Sequence, residues 1–233
     1  MKLKLGIDLD AAGKDIAASI RALLARERVL ALNLIGSPGC GKTALLEATI
    51  PELAKSCAIT VIEGDIATSR DADRIRATGV PCHLINTGGT CHLPPNLIAQ
   101  ALQEVDLAAT DVLFIENVGN LVCPSTQDVG EDAKVAVLSL PEGDDKVLKY
   151  PRLFREAACV VLNKVDLAGV LHFRRKRLFD DLAQVKHGLP VFELSALTGA
   201  GCAEWIEWVR GLCQEKRGRP MVLRRAQGPE SVS

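Results

Sequence analysis

The stretch Gly36-Ser37-Pro38-Gly39-Cys40-Gly41-Lys42-Thr43 has the spacing G-x-x-x-x-G-K-[ST], which builds a phosphate-binding loop. Its glycines let the backbone close around a phosphate with N–H groups pointing inward. The helix that follows adds partial positive charge at its N terminus. Lys42 reaches the outer phosphates, and the Thr43 hydroxyl is placed to ligate Mg2+. Two acids end apolar runs further along: Asp65 closes Glu63-Gly64-Asp65 after Ala58–Ile62, and Glu116 follows Asp111–Ile115. In a parallel sheet such strand ends lie at the ligand-binding edge. Asp65 and Glu116 are therefore candidates for the Mg2+ shell, with Asp65 also a candidate for orienting an attacking water. The longer arm of Glu116, compared with Asp, can act through water. Gly119 follows three residues later, where a backbone amide can sense a terminal phosphate.

Asn163-Lys164-Val165-Asp166 fits N-K-x-D at the end of another apolar run. The Asp166 carboxylate accepts hydrogen bonds from the ring N–H and amino group of guanine. Adenine presents an acceptor at the ring position, leaving two acceptors face to face. Asn163 and Lys164 brace that loop, the Lys164 stem lying over the base. Ser195-Ala196 matches a turn whose backbone amide meets the guanine carbonyl. The spacing thus predicts GTP/GDP as ligand.

A second chemistry is offered by Cys91, His92 and Cys123, the Cys and His residues beside these nucleotide-sensing loops. Thiolate and imidazole suit Zn2+ and Ni2+. Three ligands leave a tetrahedral site one short, and a two-fold dimer can pool ligands to complete it. On the residues alone two readings stand open: a metal site, or ordinary thiols. Cys82 and His83 are also adjacent but lie within an apolar run, which favours a buried structural role. Cys40 has no metal role, and Cys57, Cys159, Cys202 and Cys213 read as core fillers.

These residues need an α/β framework to position them. Val29–Ile35 reads as a buried parallel strand leading into the phosphate loop. Thr43 to Ala54 reads as a helix that Pro51 kinks or ends. Further strands are expected at Ala58–Ile62, Pro81–Ile85, Asp111–Ile115, Val135–Leu140, Cys159–Leu162 and Pro190–Leu194. Helices are expected at Asp8–Arg26, Thr68–Ala77, Pro94 to about Leu107, after Tyr150-Pro151, Leu171–Val185 and Gly201–Cys213. Asp71 and Asp73 suit the start of the second of these helices. Glu142–Lys149 reads as a surface loop, and Arg174-Arg175-Lys176-Arg177 as a solvated helical face. Trp205 and Trp208 are expected on the core. The division is a helix over 1–27 packed on the domain, a GTPase domain over 28–213, and a basic, flexible tail over 214–233.

The 233 residues suffice for one α/β domain. At 48% hydrophobic but 3% aromatic residues, the core must be aliphatic. A net charge of −1 gives no global attraction to nucleic acid or anionic membrane. The first residues lack the long apolar stretch of a secretory signal, and no run approaches a membrane helix in length. A cytoplasmic protein with its 8 Cys mostly reduced is expected.

Taken together, the phosphate loop, Glu63-Gly64-Asp65, Asn86-Thr87-Gly88 with Cys91-His92-Leu93, Phe114 to Pro124, Leu148-Lys149-Tyr150-Pro151 and Asn163–Asp166 resemble the hydrogenase nickel-incorporation (maturation) GTPases, the HypB family. The Glu116-Asn117-Val118-Gly119-Asn120-Leu121-Val122-Cys123-Pro124 block is highly specific to it, and the likeness runs from about residue 12 to residue 210. The resemblance implies a P-loop NTPase fold, a mostly parallel sheet flanked by helices, in the class of signal-recognition-particle and nitrogenase-iron-protein NTPases. It implies a GTP-gated homodimer that hands Ni2+ to the large subunit of a nickel-iron hydrogenase, with a small zinc-bearing hydrogenase accessory protein as partner. It places the family's metal site, at the dimer interface, on Cys91, His92 and Cys123. Related urease nickel GTPases carry a Cys-Pro-His motif, absent here. Some family members bear a Cys-rich or His-rich N-terminal nickel segment; no Cys precedes Cys40 and no His precedes His83. The rival readings are a regulatory or assembly GTPase without metal cargo, a non-enzymatic metal-binding module on a nucleotide fold, and a urease-type nickel chaperone.

Overall fold

The computed structural model describes residues 2–65 and 69–218, with side chains from residue 11 onward. Seven strands form one sheet in the order β3-β2-β4-β1-β5-β6-β7, every neighbouring pair parallel. They are β1 (Leu30–Gly36), β2 (Ile59–Asp65), β3 (Cys82–Asn86), β4 (Val112–Glu116), β5 (Ala133–Ser139), β6 (Cys159–Asn163) and β7 (Val191–Glu193). The helices are α1 (Lys2–Glu27), α2 (Lys42–Leu53), α3 (Arg70–Arg76), α4 (Pro95–Ala101), α5 (Cys123–Thr126), α6 (Lys146–Lys149), α7 (Pro151–Glu156), α8 (Arg175–Val185) and α9 (Cys202–Lys216).

Side chains alternate across each strand, and this alternation sorts the core. Leu30, Leu32 and Leu34 of β1 face α2 and α9, joining Leu45, Ile50, Trp205 and Val209. Ala31 faces the other side, where Ile20 and Leu24 of α1 and Ile98 of α4 cover the sheet. Further along that side, Ala136, Leu138, Val160 and Leu162 pack against Phe154 of α7 and Leu178 of α8. Both faces are buried, so the central strands read as continuous apolar runs rather than alternating ones. Three aromatics cluster between β7 and α9. Trp205 stacks on Trp208 at 5.5 Å, meets Phe192 edge-on at 5.8 Å, and donates Nε1 to Thr49 Oγ1 at 2.9 Å.

Helix α1 starts earlier than the Asp8 boundary and stops in a left-handed cap on Arg28, φ 58°, where Val29 N donates to Leu24 O at 2.9 Å. α2 is not ended by Pro51; it passes through it and closes two residues later at Leu53. α4 is shorter than expected: it ends at Ala101, and Leu107–Ala109 is a separate 3-10 turn capped by Asp106. Glu142–Lys149 is not merely a surface loop. It contains α6, buries Val147, and aims a buried Asp144 at Arg174 and Arg177 at 2.9 and 3.1 Å. The basic cluster is thereby neutralised, with Arg175 on Glu193 and Lys176 on Asp180. α9 continues to Lys216, so its end lies past the boundary drawn at residue 213. Thr68 at the predicted start of α3, and residues 219–233 of the predicted tail, lie outside the described residues. No helix among the described residues is long and apolar enough to cross a membrane.

Candidate functional site

β1 and β4 are adjacent at the sheet centre, so the loops leaving their C-terminal ends share one edge. The phosphate loop leaves β1 with Gly39 at φ 75° and Gly41 at φ 94°, conformations that favour glycine. A Cβ on Gly41 would stand 2.5 Å from Asn163 Nδ2. Gly41 is also the N-cap of α2 and supplies no side-chain cap. The first amides of α2 therefore face an open cleft of about 340 Å3, lined by Lys42, Thr43, Glu63, Asp65, Glu116 and Gly119 among others. Unsatisfied helix N–H groups at a cleft form an anion site. Gly119 is pressed against this loop, since a Cβ there would fall 2.9 Å from the Pro38 backbone.

Cys40, Gly36 and Ser37 contribute differently from Lys42 and Thr43. The Cys40 thiol points into the core, and burial pushes it up to about 11. Gly36 leaves room for that thiol, a Cβ on it lying 2.5 Å from Cys40 Sγ. Ser37 closes the loop through its carbonyl, which accepts from Cys40 N at 3.2 Å.

Thr43 Oγ1 donates to Glu116 Oε1 at 2.8 Å, and both residues are buried. Across the strand pairing, Glu116 stands opposite Glu63. The two carboxyls are hydrogen bonded to one another, and burial, followed by the Glu116 charge, pushes Glu63 up to about 11. Burial also raises Glu116, against the opposing pull of Lys42. Glu63 is thus a protonated partner of Glu116. It escaped the sequence reading, which assigned Asp65 alone from Glu63-Gly64-Asp65. The available signal was that Glu63 and Asp65 share a strand face. Glu63 Oε2 and Glu116 Oε2 are buried with no hydrogen-bond partner. Orphaned acidic oxygens beside Thr43 fit a hard divalent cation such as Mg2+.

A neighbouring cavity of about 480 Å3 is lined by Ala44, Glu47, Arg74, Asn163, Lys164, Asp166 and Ala196, with exposed Leu197 at its rim. Arg74 lines both this cavity and the phosphate cleft, and is held by Glu47 and Asp71. Buried Asn163 ties three segments together: Nδ2 donates to Cys40 O at 3.2 Å, while Oδ1 accepts from Lys164 N at 2.7 Å and Ala196 N at 3.1 Å. Lys164 takes φ 61°, a costly conformation for a non-glycine residue, and donates Nζ to Gly39 O at 2.6 Å. The Ala196 amide, assigned from sequence to a base carbonyl, is engaged by Asn163 here. Ser195 lies behind the cavity, its Oγ accepting from Thr198 N at 3.2 Å.

On the other side of the phosphate loop, ligand atoms of Cys91, His92 and Cys123 all lie within 4.8 Å of one another. His92 Nδ1 is 3.7 Å from Cys91 Sγ. Contact with Cys123 raises the Cys91 thiol, and burial lowers the His92 imidazole. The long loop after β4 holds this cluster in place. Asn117 Oδ1 accepts from Leu93 N at 3.0 Å, and Asn120 Nδ2 donates to Cys91 O at 3.4 Å. Asn120 N itself donates to Gly36 O at 2.9 Å. Neither asparagine was assigned from sequence, because their partners lie on loops remote along the chain. Cys82 and His83 do not join the cluster: His83 Nδ1 sits 3.8 Å from Glu104.

A parallel sheet, a Gly-rich loop at a helix N terminus and an adjacent acidic strand end define a P-loop NTPase. A family model for the CobW/HypB/UreG nucleotide-binding domain matches residues 30–193. Hydrogenase maturation factor HypB of Escherichia coli K12 is 45% identical over 207 residues, spanning 88% of this chain and 71% of the relative. The hydrogenase/urease maturation factor HypB of Helicobacter pylori is 43% identical, spanning 77% and 75%. Among solved structures, Helicobacter pylori HypB in complex with nickel superposes with a TM-score of 0.82 at 38% identity, covering 89% of this chain and 96% of that one. HypB of Archaeoglobus fulgidus superposes with 0.81 at 36% identity, covering 87% and 99%. The signal recognition particle receptor FtsY of Elizabethkingia anophelis shares the fold at a TM-score of 0.50 and 15% identity. This chain belongs to the HypB family of hydrogenase maturation factors.

Proposed function

We propose that the protein is a GTP-hydrolysing nickel metallochaperone acting in the cytoplasm, delivering Ni2+ to the large subunit of a nickel-iron hydrogenase. The observation that carries the reading is the arrangement around Asn120. One residue bonds to Gly36 of the phosphate loop and to Cys91 of a Cys91/His92/Cys123 cluster whose donor atoms converge within 4.8 Å.

In this reading Lys42 and the loop amides hold the phosphates. Thr43, Asp65 and Glu116 hold Mg2+, which supplies charge neutralisation to the phosphate oxygens. Asp166 selects guanine. Hydrolysis to GDP and phosphate is in-line attack by a water that Asp65 orients, promoted by positioning and electrostatics. Glu63 keeps its proton while the cation is absent, limiting negative charge in a closed cleft. The phosphate state moves Gly119 against Pro38, and Asn120 passes that movement to Cys91. Cys91, His92 and Cys123 then offer Ni2+, or Zn2+, a geometry that differs between GTP and GDP. A homodimer contributes the ligands one chain lacks, and a small zinc-bearing hydrogenase accessory protein is the partner in loading. The nickel-bound Helicobacter relative supports the cargo assignment.

The test is a Ni2+ titration of purified protein at known oligomeric state, with GDP and then with a slowly hydrolysed GTP analogue. Nucleotide-dependent nickel binding that disappears in Cys123→Ser is the expected result. Tight GTP binding with no metal binding in either state would sink the cargo role and leave an assembly GTPase.

A further inference from the structure

The sheet's opposite edge carries a second pair of cysteines. Cys57 lies in the turn between α2 and β2, and Cys213 in the last turns of α9. Both fill the core as expected, and they do so side by side. They pack in one core cluster, and both line a cleft of about 120 Å3 together with Ser56, Arg210, Gln214 and Arg217. Cys57 also lines a second cavity, of about 500 Å3, on its other side. A small oxidant therefore has access to a residue that is otherwise covered.

The groups around Cys57 activate it. Arg210 Nε donates to Ser56 Oγ at 3.0 Å, and Ser56 Oγ lies 3.7 Å from Cys57 Sγ. Arg217 closes the cleft, its guanidinium paired with Asp111 and its amide on Cys213 O at 3.1 Å. The Cys213 hydrogen bond, helped by Ser56 and the two arginines, draws the Cys57 thiol down to about 6. Every other cysteine with a displaced thiol is raised: Cys40, Cys82, Cys91, Cys159 and Cys202. A thiolate beside a partner thiol, under cationic side chains, is the arrangement of oxidisable cysteines.

We propose that Cys57 and Cys213 form a hydroperoxide-sensitive dithiol that closes to a disulfide, stapling α9 to the turn before β2. The Cys57 thiolate attacks the terminal oxygen of the hydroperoxide. The S–O bond forms, the O–O bond breaks, and the departing alkoxide or hydroxide takes a proton from solvent. The Cys213 sulfur then attacks the Cys57 sulfenic acid. The S–S bond forms, the S–O bond breaks, and the hydroxide leaves as water with the Cys213 proton. Two thiols lose two electrons and the peroxide gains them. Cys91 and Cys123, whose sulfurs lie within 4.8 Å of each other, belong to the Cys/His cluster and are separate from this site.

The test treats the reduced full-length protein with stoichiometric hydrogen peroxide, alkylates remaining thiols, and maps tryptic peptides without reduction. The expected product links the peptide 56–70 to the peptide 211–216 and disappears on adding dithiothreitol. In Cys213→Ser, Cys57 is expected to react with dimedone as a sulfenic acid. In Cys57→Ser, Cys213 is expected to stay reduced. Absence of the linked peptide under peroxide that fully oxidises Cys91 and Cys123 would overturn the proposal, and so would a dimedone-inert Cys57 in a folded Cys213→Ser protein. The wild-type map decides the matter alone if either variant fails to fold.

Discussion

Asn120 donates its side-chain amide to the Cys91 carbonyl at 3.4 Å, and its backbone amide to Gly36 at 2.9 Å. It thereby links the phosphate loop to the Cys/His cluster through one residue. Asn120→Ala removes the outer bond, and with it the 2.8 Å bond that Val122 N donates to Asn120 Oδ1, while leaving the inner one. The net worth of such a bond is about 0.5–1.5 kcal/mol, so the ratio of Ni2+ affinities between GTP-analogue and GDP states should fall by about two- to tenfold. GTP turnover should stay within a few-fold. Paired titrations in both states measure this, and an unchanged ratio would show that coupling runs elsewhere.

Glu63 and Glu116 set a pH dependence. The folded protein holds Glu63 protonated up to about pH 11, whereas the unfolded chain releases that proton near the ordinary carboxyl value of 4.5. Between those limits the native state binds more protons than the unfolded one, so this group makes stability fall as pH rises. Glu63→Gln removes the effect. The nucleotide-free variant should be more stable than its parent at pH 7–8, each tenfold change in proton affinity being worth about 1.4 kcal/mol. The advantage should fade toward pH 4.5. Urea melts across that range test it, and a pH-independent difference would contradict the shared proton.

Asp166→Asn exchanges an acceptor for a donor at the base. GTP should bind about 10- to 100-fold more weakly, as hydrogen bonds to a charged group are worth about 1.5–3 kcal/mol. Xanthosine triphosphate, with a carbonyl where guanine has its amino group, should gain relative to GTP. Competition binding with a fluorescent nucleotide reports both. If GTP and xanthosine triphosphate lose equally, Asp166 does not read the base.

Gly41→Ala adds a Cβ in the left-handed region, 2.5 Å from Asn163 Nδ2. The strain costs about 1–3 kcal/mol and displaces Asn163, the residue that joins the phosphate loop to the Asn163–Asp166 loop. Loss of nucleotide binding with a Tm lowered by several degrees is expected in calorimetry. Normal GTP affinity in this variant would count against the Asn163 brace.

Much of this protein is decided by its sequence alone. Gly36–Thr43 and Asn163–Asp166 are local signatures, because each is built from neighbouring residues of one loop. The buried strands announced themselves as aliphatic runs, and the Cys91/His92/Cys123 cluster was legible as soft ligands beside nucleotide loops. Boundaries were less legible where tertiary packing overrides local tendency. α9 runs on to Lys216 because Cys213 still packs on the core, and residues 142–149 fold inward because Asp144 meets Arg174 and Arg177.

What only the tertiary structure decided are the pairings between strands and loops far apart in the chain. Parallel register sets Glu63 against Glu116, which turns two separate acids into one protonated pair. The crossover that inserts β4 between β2 and β1 carries Asn120 to both Gly36 and Cys91. The return of α9 across the sheet sets Cys213 on Cys57, residues that composition alone assigned to core filling. Hydrogen bonds and shared protons act over a few ångströms of space, and no spacing along a chain encodes that distance until the sheet order is known.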